Sequence, residues 1–335
     1  MSHPGQPIAA RAGSLSAPLS LADEGSFFVG GKSITTSFPD ARGGAPPTPG
    51  LIAVNQMYVH YRIPVASNGH AIVMVHGANH TGQSFETTPD GREGWATWFT
   101  RKGFSTYVVD HAGRGRSGFD PTPINRARAG QTMTGLPSIA VGTRQAAWMS
   151  YRLGPQYPQF WPDSQFPAEA LDHYFMQVAP MAESTLDGEG GNTVDALGQL
   201  LDRIGPAIVL VHSQSGAYGL QLVRKNTQAM KALISVEGDC APITDEELKG
   251  AFAHVPLLSV WGDHSFGFAS RNGDDRRNPC VTTVGNINRA GGKALFMLLP
   301  DLGIKGNSHM MMLEKNNTVI ADRIIDWVNR IVARH

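Results

Sequence analysis

An excess of charge of either sign is missing from this chain: 28 Lys and Arg face 28 Asp and Glu, so the formal net charge is zero. With no positive field to hold a polyanion, nucleic acid is not an expected partner. No apolar run approaches the roughly 18 residues that a membrane span requires, so none is expected. The first 25 residues (MSHPGQPIAARAGSLSAPLSLADEG) lack the apolar centre of a secretory signal and read as a loosely ordered tail. The default compartment is then the cytoplasm. Cysteine is almost absent, with Cys240 and Cys280 alone and in no metal-ligand spacing. They are either two buried thiols or a disulfide, and a disulfide would point to an extracytoplasmic compartment.

What is present suits one turn-rich globular domain over residues 26–335, with 41% hydrophobic residues, 38 glycines and 22 prolines in 335 residues. Six short, unbroken apolar runs recur: AIVMVHG from Ala71, STYVVDHAG from Ser105, AIVLVHS from Ala207, ALISVEG from Ala232, PLLSVWGD from Pro256 and ALFMLLPD from Ala294. Apolar runs without polar alternation mark strands covered on both faces, hence an α/β fold with a mostly parallel sheet. Two alternating stretches, from Ser26 and from Gln56, read as an antiparallel start to the same sheet. Helices are expected from Gly94, from Tyr218 and over the last segment, where Ile320, Ile324, Trp327, Val328 and Ile331 share one face. Residues 119–204 break this rhythm with several prolines and eight aromatics from Trp148 to Phe175, and read as a helical insertion. Its aromatics either wall a pocket as a lid or simply pack on the sheet.

GRGRSG, from Gly113 to Gly118, matches G-x-G-x-x-G, but no Asp or Glu occurs from Pro121 to Pro162 to take a ribose hydroxyl, and FDPTPINRA is a poor helix start. A turn at the end of a strand, D-x-x-G-x-G-x-S over Asp110–Ser117, is the better reading, and no cofactor is expected.

IVLVHSQSGAYG, from Ile208 to Gly219, places two serines directly after a buried strand. A serine becomes a nucleophile when a base takes its proton and backbone N–H groups receive the oxyanion, and a sharp strand-turn-helix with small neighbours presents it. Neither Ser213 nor Ser215 fits G-x-S-x-G literally. Ser213 is the first residue past the strand and leaves Ser215-Gly216-Ala217 to open the helix, so it is the expected nucleophile. The His-Gly turn of VHGANHTGQS then offers the backbone of Ala78, with Asn79 as substitute, beside that of Gln214 as oxyanion donors. His76 and His80 have the i,i+4 spacing of a metal pair, but a glycine lies between them and no third ligand is evident, so no metal is expected. The base must come late in the chain. His309, in LGIKGNSHMMM, is the histidine past the last strand, apart from terminal His335. The usual acid slot after WGD holds Ser265, whereas Glu237 stands at the tip of the preceding strand, one methylene longer and one strand nearer the nucleophile. Glu237 is therefore the expected acid, with Asp263 and then Asp239 as alternates.

Together these segments resemble the α/β-hydrolase superfamily from about Ser26 onward, and within it a small group of bacterial esterases with an H-S-Q-S-G elbow, an S-V-E acid segment and a G-N-S-H-M-M-M loop. The resemblance implies an eight-stranded sheet with a helical lid, Ser213 as nucleophile, Glu237 as acid, His309 as base, and Ala78 and Gln214 as oxyanion donors. It implies hydrolysis of a small or moderately hydrophobic carboxylic ester without a cofactor, and a bridge between Cys240 and Cys280. Amide, lactone or carbon–carbon bond hydrolysis by the same residues, and a noncatalytic small-ligand-binding protein, are the alternatives. A homodimer is left open.

Overall fold

The structure, a computed structural model, describes residues 15–37, 49–186, 190–267 and 273–332. Eight strands form one sheet: β1 (Leu21–Thr36), β2 (Gly50–Pro64), β3 (Ala71–Val75), β4 (Ser105–Val109), β5 (Ala207–His212), β6 (Met230–Val236), β7 (Leu257–Trp261) and β8 (Ala294–Leu298). Their order across the sheet is β1-β2-β4-β3-β5-β6-β7-β8. β2 runs antiparallel to both β1 and β4, and all the remaining pairings are parallel.

Alternation along the buried strands divides the core in two. Ile208 and Leu210 of β5 face α1 (Trp95–Arg101) and α6 (Asn317–Val332), whereas Val209 and Val211 face α3 (Gly191–Ile204) and α4 (Ser215–Asn226). The helix α5 (Asp274–Arg289) adds Val284 and Ile287 to the second face. On α6, Ile320, Ile324, Trp327 and Val328 are buried as their spacing requires, and Ile331 packs at the margin. Burying each such side chain contributes about 1.5–3 kcal/mol, so these two layers hold the sheet and its loop-bearing edge in place.

Two boundaries differ from the sequence expectation. Residues 1–14 lie outside the described residues, but Ser16 is hydrogen-bonded through its backbone and hydroxyl to Glu93 Oε1 at 2.8 and 3.1 Å, and β1 already begins at Leu21. The tail read over residues 1–25 therefore does not include LADEG, which is strand, and its charges go unpenalised because β1 is an edge strand largely open to water. The insertion read over residues 119–204 also ends early. α3 is a crossover helix, with Val194, Leu197 and Leu201 on the sheet. The part before it carries α2 (Arg144–Ser150) and similarly short helices at Thr122–Arg128 and Leu171–Met176.

Candidate functional site

β5 ends at His212, and the chain turns through Ser213 at φ +56° before α4 begins. A non-glycine residue in left-handed backbone costs about 1–3 kcal/mol and persists only where its surroundings hold it. Here Ser213 N–H donates to Val236 O at 3.1 Å, while Ser213 O accepts from Gly216 N at 2.9 Å and Asp239 N at 3.0 Å. Small residues make room for the turn. A Cβ on Gly77 would come within 2.8 Å of Ser213 Cβ, and one on Gly216 would run into the backbone of Gly238 and Asp239. The two serines are thereby separated: Ser215 Oγ donates to His76 O and lies 2.8 Å from His111 Nε2, fully buried, whereas Ser213 Oγ accepts from Arg276 Nη1 at 2.8 Å.

Glu237 and His309 meet one strand over. Glu237 follows β6, also in left-handed backbone at φ +45°, and its Oε2 lies 2.7 Å from His309 Nδ1. Its Oε1 accepts from Arg152 Nη2 at 2.6 Å and from Gly262 N at 2.9 Å. Burial alone would raise this carboxyl, but the Arg152 charge and the His309 hydrogen bond outweigh it and bring its pKa down to about 2. For His309, burial outweighs the pull of Glu237 and lowers the ring to about 4. The neutral imidazole then donates from Nδ1 to Glu237 and keeps its lone pair on Nε2, which is buried and has no hydrogen-bond partner among the described residues. The ring is fixed beside the elbow: His212, next to Ser213, places Nε2 2.9 Å from His309 O, His309 N–H donates to Tyr151 O at 3.0 Å, and Tyr151 stacks on the imidazole at 5.6 Å between centroids. The structure thus joins His309 to Glu237 directly, whereas among the described residues no hydrogen bond links His309 Nε2 to Ser213, whose hydroxyl is engaged by Arg276.

Neither alternate acid touches the imidazole. Asp263 accepts from Gly306 N and donates its own N–H to Asn307 O, staying with the backbone of the histidine loop, and burial raises its pKa. Asp239 pairs with Arg276 Nε at 2.6 Å. His335 lies outside the described residues.

On the β3 side, neither the Ala78 nor the Gln214 backbone N–H donates a hydrogen bond among the described residues, and both residues flank Ser213 half-buried. Asn79 is turned away, giving its side-chain amide to Ala140 O and Ala179 O. His76 Nε2 accepts from His111 N at 3.0 Å and His80 stacks on Tyr174, so the two rings serve different neighbours. The glycine-rich turn after β4 is built on Asp110, which accepts from Gly82 N at 2.7 Å and Arg116 N at 2.8 Å. Its Arg114 is buried, donating to Gly77 O at 2.8 Å, to Gln214 Oε1 at 3.2 Å and to Glu183.

Four supports had no signal in the sequence: Arg152, Arg276, the Arg114–Glu183 pair, and Glu314. The last accepts from Ser308 N at 2.8 Å and Asn307 Nδ2 at 2.7 Å and so braces the loop of His309, and burial raises its carboxyl to about 7 against those hydrogen bonds. Several aromatics of the insertion pack in the core, as one of the two readings given to them expects. Trp148, Phe166 and Tyr174 are core residues, and Tyr151 lies on the His309 ring. Cys240 and Cys280 are disulfide-bonded, tying the loop after Glu237 to α5. Among the described residues no helix is long and apolar enough to cross a membrane.

No family model matches the chain. A solved structure described as a novel bacterial esterase is 38% identical, with a TM-score of 0.89, covering 95% of this chain and 98% of its own. A probable secreted lipase, phiG, of a fungal species (strain ATCC 74256) is 27% identical over 323 residues, covering 82% of this chain and 86% of the lipase. With that degree of identity to the esterase held over nearly the whole length, on the same mostly parallel sheet, the chain belongs to the α/β-hydrolase superfamily.

Proposed function

We propose that this protein is a serine hydrolase of carboxylic esters, with Ser213 as nucleophile, His309 as base and Glu237 as acid. One observation carries the reading. A buried carboxylate lies 2.7 Å from Nδ1 of a neutral imidazole whose Nε2 has no hydrogen-bond partner among the described residues, one strand over from a serine held in left-handed backbone at a strand end. The esterase and lipase relatives support the same chemistry.

In the first step His309 Nε2 takes the Ser213 proton while Oγ attacks the ester carbonyl. The oxyanion is received by the N–H groups of Ala78 and Gln214, and Glu237 stabilises the imidazolium. Collapse expels the alcohol with the proton from His309 and leaves an acyl-enzyme. Water, deprotonated by the same Nε2, then attacks, and release of the carboxylic acid restores Ser213. The segment 119–186 acts as a cover over this site, a role supported by Tyr151 on the His309 ring. The disulfide and the secreted relative support an extracytoplasmic location.

The test is covalent labelling with a fluorophosphonate probe together with turnover of 4-nitrophenyl butyrate. Labelling at Ser213 and turnover that both vanish in Ser213→Ala are expected, and an unlabelled, inactive wild type would end the reading.

A further inference from the structure

At the end of the sheet where the parallel strands begin lies a cavity of about 400 Å³. Three basic side chains line it, each from a different segment: His70 directly before β3, Lys231 at the start of β6, and His254 at the end of the short helix Ala251–His254 before β7. Met230 of β6 and Val332 of α6 supply an apolar side, and Gln228 an amide. Among the described residues no Asp or Glu lines it. A strand rises about 3.3 Å per residue, so the stretch from Met230 to Glu237 sets this cavity roughly 20 Å from the proposed catalytic residues. Ester hydrolysis at Ser213 makes no use of it.

The protein leaves these three groups unmatched. The buried Arg114 and Arg152 each meet a carboxylate, whereas among the described residues neither Lys231 Nζ nor a ring nitrogen of His70 or His254 makes a hydrogen bond or ion pair. His70 and Lys231 are half-buried, and Nδ1 of His70 is buried without a partner. Lys231 is close enough to act on that ring: burial first, and then the Lys231 charge, push the His70 imidazole below its ordinary value. An anion in the cavity reverses this, pairing with the ammonium and favouring a proton on the ring. Three single-point donors approaching from three segments suit a tetrahedral anion. A planar carboxylate is better matched by a guanidinium fork, and among the described residues no arginine lines the cavity.

We infer that this cavity binds a phosphate group, free or carried by a small monoester, with Lys231, His70 and His254 as its donors. Its volume falls in the range of about 300–1,000 Å³ common to small-molecule sites, and Met230 and Val332 offer a surface for the carbon body of a monoester.

Isothermal titration of the full chain with inorganic phosphate, at neutral pH and constant ionic strength, tests this. One saturable site per chain with a Kd of about 1 mM or tighter is expected, and Lys231→Gln should weaken it by about tenfold or more. His254→Gln, at the exposed rim, should weaken it by about threefold, and it serves alone if Lys231→Gln fails to fold. Glycerol 3-phosphate and succinate are run alongside. Tighter binding of glycerol 3-phosphate than of phosphate assigns a monoester, and the reverse assigns the free ion. Succinate bound as tightly as either phosphate overturns the inference. So does the absence of saturable binding up to about 20 mM phosphate. An affinity unchanged in Lys231→Gln, or in His254→Gln where that is the folded variant, overturns it too, because the ion then sits elsewhere. Neither variant alters Ser213, Glu237 or His309, so both should turn over 4-nitrophenyl butyrate like the wild type, and the esterase reading is tested separately.

Discussion

Two buried arginine–carboxylate pairs flank Ser213, and each joins the sheet edge to the segment before α3 with the charges exchanged. On the β3 side the arginine, Arg114, belongs to the turn after β4 and the acid, Glu183, to that segment. On the β6 side the acid, Glu237, belongs to the sheet and the arginine, Arg152, to that segment. What separates them is the rest of each acid's company. Glu183 Oε2 takes the backbone N–H of Ala182, so that pair ends in fixed groups, whereas Glu237 Oε2 takes an imidazole that can gain a proton. A buried ion pair by itself signals neither stability nor chemistry, since desolvation cancels much of the attraction. The group on the second oxygen decides which role it can have.

The comparison is broken most decisively at the elbow. Ser213→Ala is expected to lower turnover by on the order of 10⁴-fold or more, and Ser215→Ala by far less, read from initial rates on 4-nitrophenyl butyrate. A lethal Ser215→Ala would move the nucleophile two residues on. Glu237→Gln should cost about 10³- to 10⁴-fold in kcat by misdirecting the imidazole, with Asp263→Asn within a few-fold of wild type. The reverse order would return the acid to β7.

Arg152→Met and Arg114→Met sharpen the contrast between the two pairs. Each leaves an unpaired buried carboxylate and should destabilise the protein by about 3–5 kcal/mol in urea titrations. Only the β6-side variant should also alter the titration of His309. Arg152 helps hold the His309 pKa down, so its loss moves the acid limb of the kcat/KM profile to higher pH. Arg114→Met should instead lower kcat by about tenfold with the limb unmoved, because its hydrogen bonds go to Gly77, Gln214 and Glu183 and none goes to Glu237 or His309 among the described residues. The smallest effect is in the wild type. A depressed imidazole stays unprotonated as pH falls through 6.5, so kcat/KM on a neutral ester should hold a plateau and decline only as pH nears about 4. A decline centred near 6.5 would show an imidazole with ordinary solvation.

Much of this was legible because it depends on neighbours in sequence. The buried strands announce themselves as unbroken apolar runs, and VHSQSG shows a strand end followed by residues small enough for a strained turn. The tip of SVEG offers a carboxylate where the next strand's usual slot holds Ser265. β1 was read short because an edge strand tolerates the charges of LADEG. α3 was absorbed into the insertion because no strand separates it from the segment before, although its Val194, Leu197 and Leu201 spacing was visible.

The arginines were not legible at all. Arg152 reaches Glu237 across 85 positions and Arg276 reaches Ser213 across 63, and neither sits in a pattern that distinguishes it from a solvated surface residue. Local polarity and periodicity dictate which segments become buried strands and where a reactive group can be lifted from their ends. Which charges are then desolvated against one another depends on how distant segments pack, and burial is what turns an ordinary arginine into one that shifts a carboxylate or meets a nucleophile.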